Sequence, residues 1–132
     1  MAVLGRDDIL GADDLETRRV ECPKWGGTVR LQEMTAAIYE EFEEHVVTMN
    51  TDNPEVNKGN LRGWLVFFSV VDDDGNRVFS DVADVKKLAE KSATEMLKVC
   101  AEIQEMNGIG EKEVEELVED FGESPRADSA TA

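Results

Sequence analysis

Apolar and polar positions change period several times along this chain, and each change marks a boundary between elements. Val20-Glu21-Cys22 and Thr28-Val29-Arg30-Leu31 alternate apolar with polar, the period of half-buried strands. Pro23-Lys24-Trp25-Gly26-Gly27 between them supplies turn residues, so this stretch predicts a β-hairpin with a longer loop. Ile38, Tyr39, Phe42, Val46 and Met49 then recur at helical spacing behind Thr35. That stripe predicts a first helix running to about Met49, with Thr35 as its N-cap.

Asn50-Thr51-Asp52-Asn53-Pro54 breaks the helix, and Val56 to Val71 follows with Leu61, Trp64, Leu65, Phe67, Phe68, Val70 and Val71. Periodicity alone does not separate a buried helix from a buried strand in a run this apolar. Its length, and the alignment of Leu61, Leu65 and Phe68 with Trp64, favour helix; Gly63 counts against it. Asp72-Asp73-Asp74-Gly75-Asn76 reads as a turn and Arg77-Val78-Phe79 as a short extended piece. Asp81 is placed to cap a helix containing Val82, Val85, Leu88 and Ala89.

Ser92-Ala93-Thr94-Glu95 has the spacing of a capping box, in which Ser92 accepts from the Glu95 amide and the Glu95 carboxylate reaches back. The helix it opens carries Met96, Val99, Cys100, Ile103 and Met106, and Asn107-Gly108-Ile109 has the pattern of a Schellman stop. A last amphipathic segment, Glu111 to Phe121, places Val114, Leu117, Val118 and Phe121 on one side among six acids. The expected fold is α+β and mainly α, an N-terminal β-hairpin followed by four to five helices in one small domain over residues 18–121. Residues 1–17, with Asp7, Asp8, Asp13, Asp14 and Glu16, read as an acidic flexible arm holding one short helical turn. Residues 122–132 read as a disordered tail.

Charge narrows the partners. The 132 residues include 30 acidic and 14 basic side chains, a formal net charge of -16, which argues against binding to nucleic acid or to an anionic membrane surface. The net charge is -6 over residues 1–50, -2 over residues 51–91 and -8 over residues 92–132. Trp64 to Val71, the longest apolar run, is far short of the ~20 residues that cross a bilayer. The first eight residues lack the basic and apolar regions of a secretory signal. Two cysteines outside any CxxC pair fit a reducing cytosol.

Candidate chemistry is sparse. His45, beside Glu41 and Glu44, reads as a surface or boundary histidine. Cys100 lies on an apolar stripe and reads as core, and Cys22 has no basic helix terminus near it to lower its pKa. Asp72 to Asn76 looks like part of an EF-hand loop. With Gly75 at the sixth position, however, the first ligand falls on Val70 and the twelfth on Asp81, so the ligand set fails. No phosphate-binding or nucleophile motif is present, so no catalytic, cofactor or metal residue is assigned and the chain is not read as an enzyme. Five residues are candidates for binding a partner. Val114, Leu117, Val118 and Phe121 either dock on their own core or are offered to another chain. Trp25, at the hairpin tip, is either tucked under the following helix or exposed as an anchor.

The order of these pieces is itself informative. Val20-Glu21-Cys22-Pro23-Lys24-Trp25-Gly26-Gly27-Thr28-Val29-Arg30-Leu31, then Met34-Thr35 opening a Phe- and Glu-bearing helix, resembles the N-terminal half of bacteriophage tail assembly chaperones. Asn60-Leu61-Arg62, Leu65-Val66, Ser69, Val71 to Phe79, Leu88 to Ala93 and Asn107-Gly108 continue in that family's order. The resemblance spans about residues 7 to 121. Trp64, Phe67 and Phe68 are bulkier than the small and aliphatic residues of the corresponding family helix. What the resemblance implies is a non-enzymatic protein of the host cell cytoplasm, absent from the mature virion. It would bind and solubilise the phage tape measure protein and help to recruit tail-tube protein, with self-association left open. The competing class is an acidic mimic of nucleic acid or another small regulatory interaction protein. A mimic would array its charge along one face, whereas here charge gathers at both ends of the chain.

Overall fold

The computed structural model describes residues 2–49 and 51–120. A short helix, α1 (Arg6–Leu10), precedes a hairpin of β1 (Thr17–Cys22) and β2 (Gly27–Gln32), whose strands are joined by a 3-10 turn at Pro23–Trp25. Five helices follow: α2 (Ala36–Met49), α3 (Pro54–Ser69), α4 (Asp84–Leu88), α5 (Ala93–Met106) and α6 (Glu111–Asp120), with β3 (Val70–Val71) between α3 and α4. The fold is α+β and mainly helical, as the residue pattern predicts. Phe121 and the expected tail over residues 122–132 lie outside the described residues.

In the hairpin, Val20 pairs with Val29 and Cys22 with Gly27. Val20, Cys22 and Leu31 are buried while Arg19 and Glu21 face solvent, the alternation of a sheet with one covered face. One expectation needs correction at its end. The run from Trp64 is helical to Ser69, but Val70 and Val71 leave the helix and pair antiparallel with Leu31 and Arg30, making a third strand. The switch comes where Asp72 to Asn76 reverse the chain. There the Asp72 carboxylate accepts from the amides of Asp74 and Asn76, each at 2.9 Å, and Arg77 closes a bridge back to Val71.

α3 is the element on which the others pack: α2, α4, α5 and α6 all touch it. Trp64, Leu65, Val66, Phe67, Phe68 and Ser69 are buried in succession, which is how a helix hydrophobic on every side must be housed. Gly63 explains how α4 comes so close. A Cβ at this position would lie 2.8 Å from Val85 Cγ1 and 3.3 Å from the Val85 carbonyl oxygen. The residue that weakens the helical propensity of α3 is therefore the one that lets α4 lie against it. The bulky residues find aromatic neighbours: Trp64 stacks on His45 with centroids 4.2 Å apart, and Phe68 meets Phe42 edge-on at 6.5 Å. The Arg77 guanidinium covers the rings of Phe67 and Phe68 at 5.0 and 4.7 Å, in the range of a cation–π contact.

The helix signals are made in most of their detail. Thr35 Oγ1 accepts from the Ile38 amide at 3.1 Å. At the end of α5, Ile109 N donates to Gln104 O at 2.8 Å and Gly108 N to Glu105 O at 3.3 Å, with Gly108 at φ +68. This is the double bond of a Schellman ending, with its glycine in the left-handed region. Two details differ. Asp81 Oδ1 accepts from Ala83 N, but α4 starts only at Asp84 and Val82 is exposed, so Asp81 closes a turn before the helix. Ser92 accepts from the Glu95 amide at 3.4 Å, but the Glu95 carboxylate does not reach back. It accepts instead from the backbone amide of Lys24 at 3.0 Å and pairs with Lys98 at 3.0 Å, almost wholly buried. An amide in the hairpin turn offers the carboxylate a partner that burial would otherwise leave unmet. A second link joins hairpin and α5, where Arg18 bonds Glu16, Glu102 and Glu105.

Two predictions follow from these contacts. Gly63→Ala is expected to destabilise the protein by about 1–3 kcal/mol through overpacking against Val85. Gly59→Ala, in the same helix with nothing within 4 Å of the added Cβ, is expected to stabilise by about 0.5–1 kcal/mol; urea unfolding of both variants measures the contrast. The hydrogen bond from Lys98 holds the Glu95 carboxyl below the usual carboxylate range, assisted by the Lys24 amide and opposed by burial. A lowered folded pKa means stability present above the unfolded value, about 4.3, and lost as pH falls through the folded one. Thermal unfolding of Glu95→Gln should therefore fall less steeply below that pH than unfolding of the parent protein.

Candidate functional site

The hairpin tip, β3 and α4 surround an open groove of about 470 Å³. Trp25 and Val29 of the hairpin, Val66 and Val70 beside them, Val78 and Phe79 after the acidic turn, and Leu88 of α4 give it an apolar lining. Asp84, Lys87 and Lys91 form a charged edge. The Asp84 carboxylate lies 3.7 Å from Lys87 Nζ, and Lys91 has no ion-pair partner among the described residues. Both lysines belong to the near-neutral middle of the sequence, so this hollow is lined by apolar groups and edged by cations on a protein of net charge -16.

Each wall has a local cause. The 3-10 turn carries Trp25 over the covered face of the sheet, and the bond from Lys24 N to Glu95 fixes the preceding peptide. Gly63 brings α4 in, which sets Leu88 and the two lysines along the far side. Val78 is held by its amide bond to Val70 O at 3.2 Å, yet its side chain is half exposed at the lip. Trp25 is thus not fully in solvent. It is partly buried against the core, and its Nε1 is enclosed with no hydrogen-bond partner among the described residues.

The other candidates fall elsewhere. Val114 is buried in the core cluster, on the helix that packs against α2 and α3. The side chains of Leu117 and Val118, and the whole of Phe121, lie outside the described residues. The structure therefore brings Trp25 together with Val29, Val66, Val78, Phe79 and Leu88, a grouping that sequence reasoning missed. These residues come from four separate segments and share no period; the one signal in the sequence was Gly63, whose missing side chain marks the close approach of α4.

The remaining chemistry-bearing side chains are occupied structurally. His45 is half-buried and stacked on Trp64 at the edge of a second, smaller hollow of about 310 Å³, lined also by Glu41, Arg77, Phe79 and Ser80. Burial pushes the Cys100 thiol up to about 12, and it raises the Cys22 thiol as well, so both are protonated at neutral pH. Among the described residues no group of three His, Cys, Asp or Glu side chains is placed to hold a metal ion, and no helix is long and apolar enough to cross a membrane.

No protein-family model matches the chain, and no curated protein matches it. Among solved structures, the fold is similar to the tail assembly chaperone of bacteriophage HK97, with a TM-score of 0.49 and 19% sequence identity over 70% of this chain and 83% of that one.

Proposed function

We propose that this protein is a tail assembly chaperone of a long-tailed phage, a non-enzymatic holdase that engages apolar segments of a client chain and keeps the complex dispersed. The observation that carries the reading is the pairing of an open apolar groove with a surface of high negative charge. A contiguous apolar hollow rimmed by polar groups is a feature of protein-binding surfaces, and a large net charge keeps a complex with a sticky client from associating further. The ordered segments from Val20 to Gly108 that resemble tail assembly chaperones supply the client's name, the tape measure protein. In this reading the protein acts in the host cytoplasm, helps to recruit tail-tube subunits and is left behind when the particle is finished.

Co-expression with the tape measure protein of the same phage tests the reading. The expected outcome is a higher soluble yield of the client and a complex that co-purifies. Val78→Asp, at the exposed lip of the groove, should leave the circular dichroism spectrum unchanged and weaken the complex by about tenfold, the loss expected for a moderate contact at an interface. An insoluble client and no complex with the parent protein would refute the assignment.

A further inference from the structure

The second hollow, about 310 Å³ in volume, holds polar groups that the fold leaves unused, and it shares only Phe79 with the Trp25 groove. Arg77 lies over the rings of Phe67 and Phe68, 5.0 and 4.7 Å from their centroids. A guanidinium carries five N–H donors, and one nitrogen of Arg77 is directed to Phe79 O at 3.4 Å. Arg6, Arg18 and Arg19 each pair with an acid, whereas no carboxylate lies within ion-pair distance of Arg77 among the described residues. His45 and Ser80 line the same hollow. Stacking on Trp64 engages the face of the imidazole, but neither its nitrogens nor the Ser80 hydroxyl has a hydrogen-bond partner among the described residues. Donors from α2 and from the loop after β3 thus face one space.

The arrangement is selective. A cation with free donors on an aromatic surface favours a carboxylate, which a guanidinium holds through two parallel hydrogen bonds. Glu41 stands on the rim one turn before His45, also without an ion-pair partner among the described residues. A multiply charged phosphate would meet repulsion there, whereas a peptide offers a single carboxylate to Arg77 and Ser80 and a backbone N–H to Glu41. Phe79, partly buried, and Val82, 55% exposed, add an apolar wall. We infer that the Arg77–His45 hollow binds a side-chain carboxylate next to an aromatic residue within a segment of another protein. Apolar surface continues past Ser80 to Val82, so the segment runs on across the hollow instead of ending in it. The contact goes beyond the function proposed above, which rests on the Trp25 groove, and it adds a charge-selective anchor to a surface otherwise selective only for apolar groups.

Titration of the full chain with the capped dipeptide acetyl-Asp-Phe-amide tests the inference. His45 is the sole histidine, so its ring C–H resonances report this hollow. The expected result is a saturable shift in the millimolar range. Acetyl-Asn-Phe-amide should bind the same protein about tenfold more weakly, the loss expected when a charge-assisted hydrogen bond becomes neutral. Arg77→Gln should weaken acetyl-Asp-Phe-amide by about tenfold, and Arg77→Lys, which keeps the charge without the fork, by about threefold. Arg77 is exposed, and an unchanged circular dichroism spectrum shows that both variants keep the fold; the comparison of the two dipeptides needs only the parent protein. Val78→Asp, in the other groove, should leave the titration unchanged, and a loss of binding there would move the dipeptide to that groove and overturn the inference. No shift, equal binding of the two dipeptides, or binding indifferent to Arg77 would each overturn it as well. So would an equal response to inorganic phosphate, the mark of a general anion site, or tighter binding of N-acetylphenylalanine, the mark of a site for a chain terminus. The probe is not the tape measure protein, so failure here leaves the chaperone assignment standing, and failure of that assignment leaves this site standing.

Discussion

Burial of the second half of α3 on every side is the constraint from which the rest of the architecture follows. Six consecutive residues from Trp64 to Ser69 are withdrawn from water, and no single neighbouring helix can cover a helix around its whole circumference. α2, α4, α5 and α6 share the task. Phe42 and Val46 of α2 are wholly buried in the same core, as are Val99 and Ile103 of α5. At this density truncating one large side chain costs about 3–5 kcal/mol, a large part of the stability of a small protein. The chain then leaves α3 by a route that keeps Val70 and Val71 dry, as a strand added to β2.

The same constraint shows which parts of the fold were legible in the sequence. Signals that act within a turn or two were readable: the hairpin alternation around Val20 and Leu31, the Thr35 and Ser92 caps, and the Schellman ending at Gly108 all depend on neighbours close in the chain. What escaped depends on distant partners. Glu95 has the spacing of a capping-box acid, yet it serves the Lys24 amide, because a buried carboxylate takes the partner that tertiary packing supplies. Gly63 argued against a helix on propensity and instead marks the contact with Val85. Val70 and Val71 could not be told from further helix, since the strand that receives them lies about forty residues earlier. The groove was illegible for the same reason: Trp25 was visible as a residue of interest, but its companions Val66, Val78 and Leu88 become neighbours only through the fold.

Charge and apolarity are divided between surfaces in a way the total of -16 conceals. Glu16, just before β1, and Glu102 and Glu105 of α5 are engaged with Arg18, and the acidic turn at Asp72 and Asp73 is held by Arg30 and Arg19. Apart from the part-buried Arg18–Glu102 pair, these contacts are exposed and each contributes little to stability, but they spend several of the basic side chains inside the protein's own framework. The cations at the edge of the groove are those of α4 and the residues just after it. A negatively charged segment would meet repulsion over much of the surface and attraction at Lys87 and Lys91.

The bond between Glu95 and the Lys24 amide also orders events in time. It joins positions 71 residues apart, so it must offset the freedom lost by the long loop it closes. The turn that carries Trp25 is therefore secured only when α5 has docked. A chain that is still folding has its apolar arm and its long apolar helix but no finished groove. The groove is a property of the completed fold and cannot precede it.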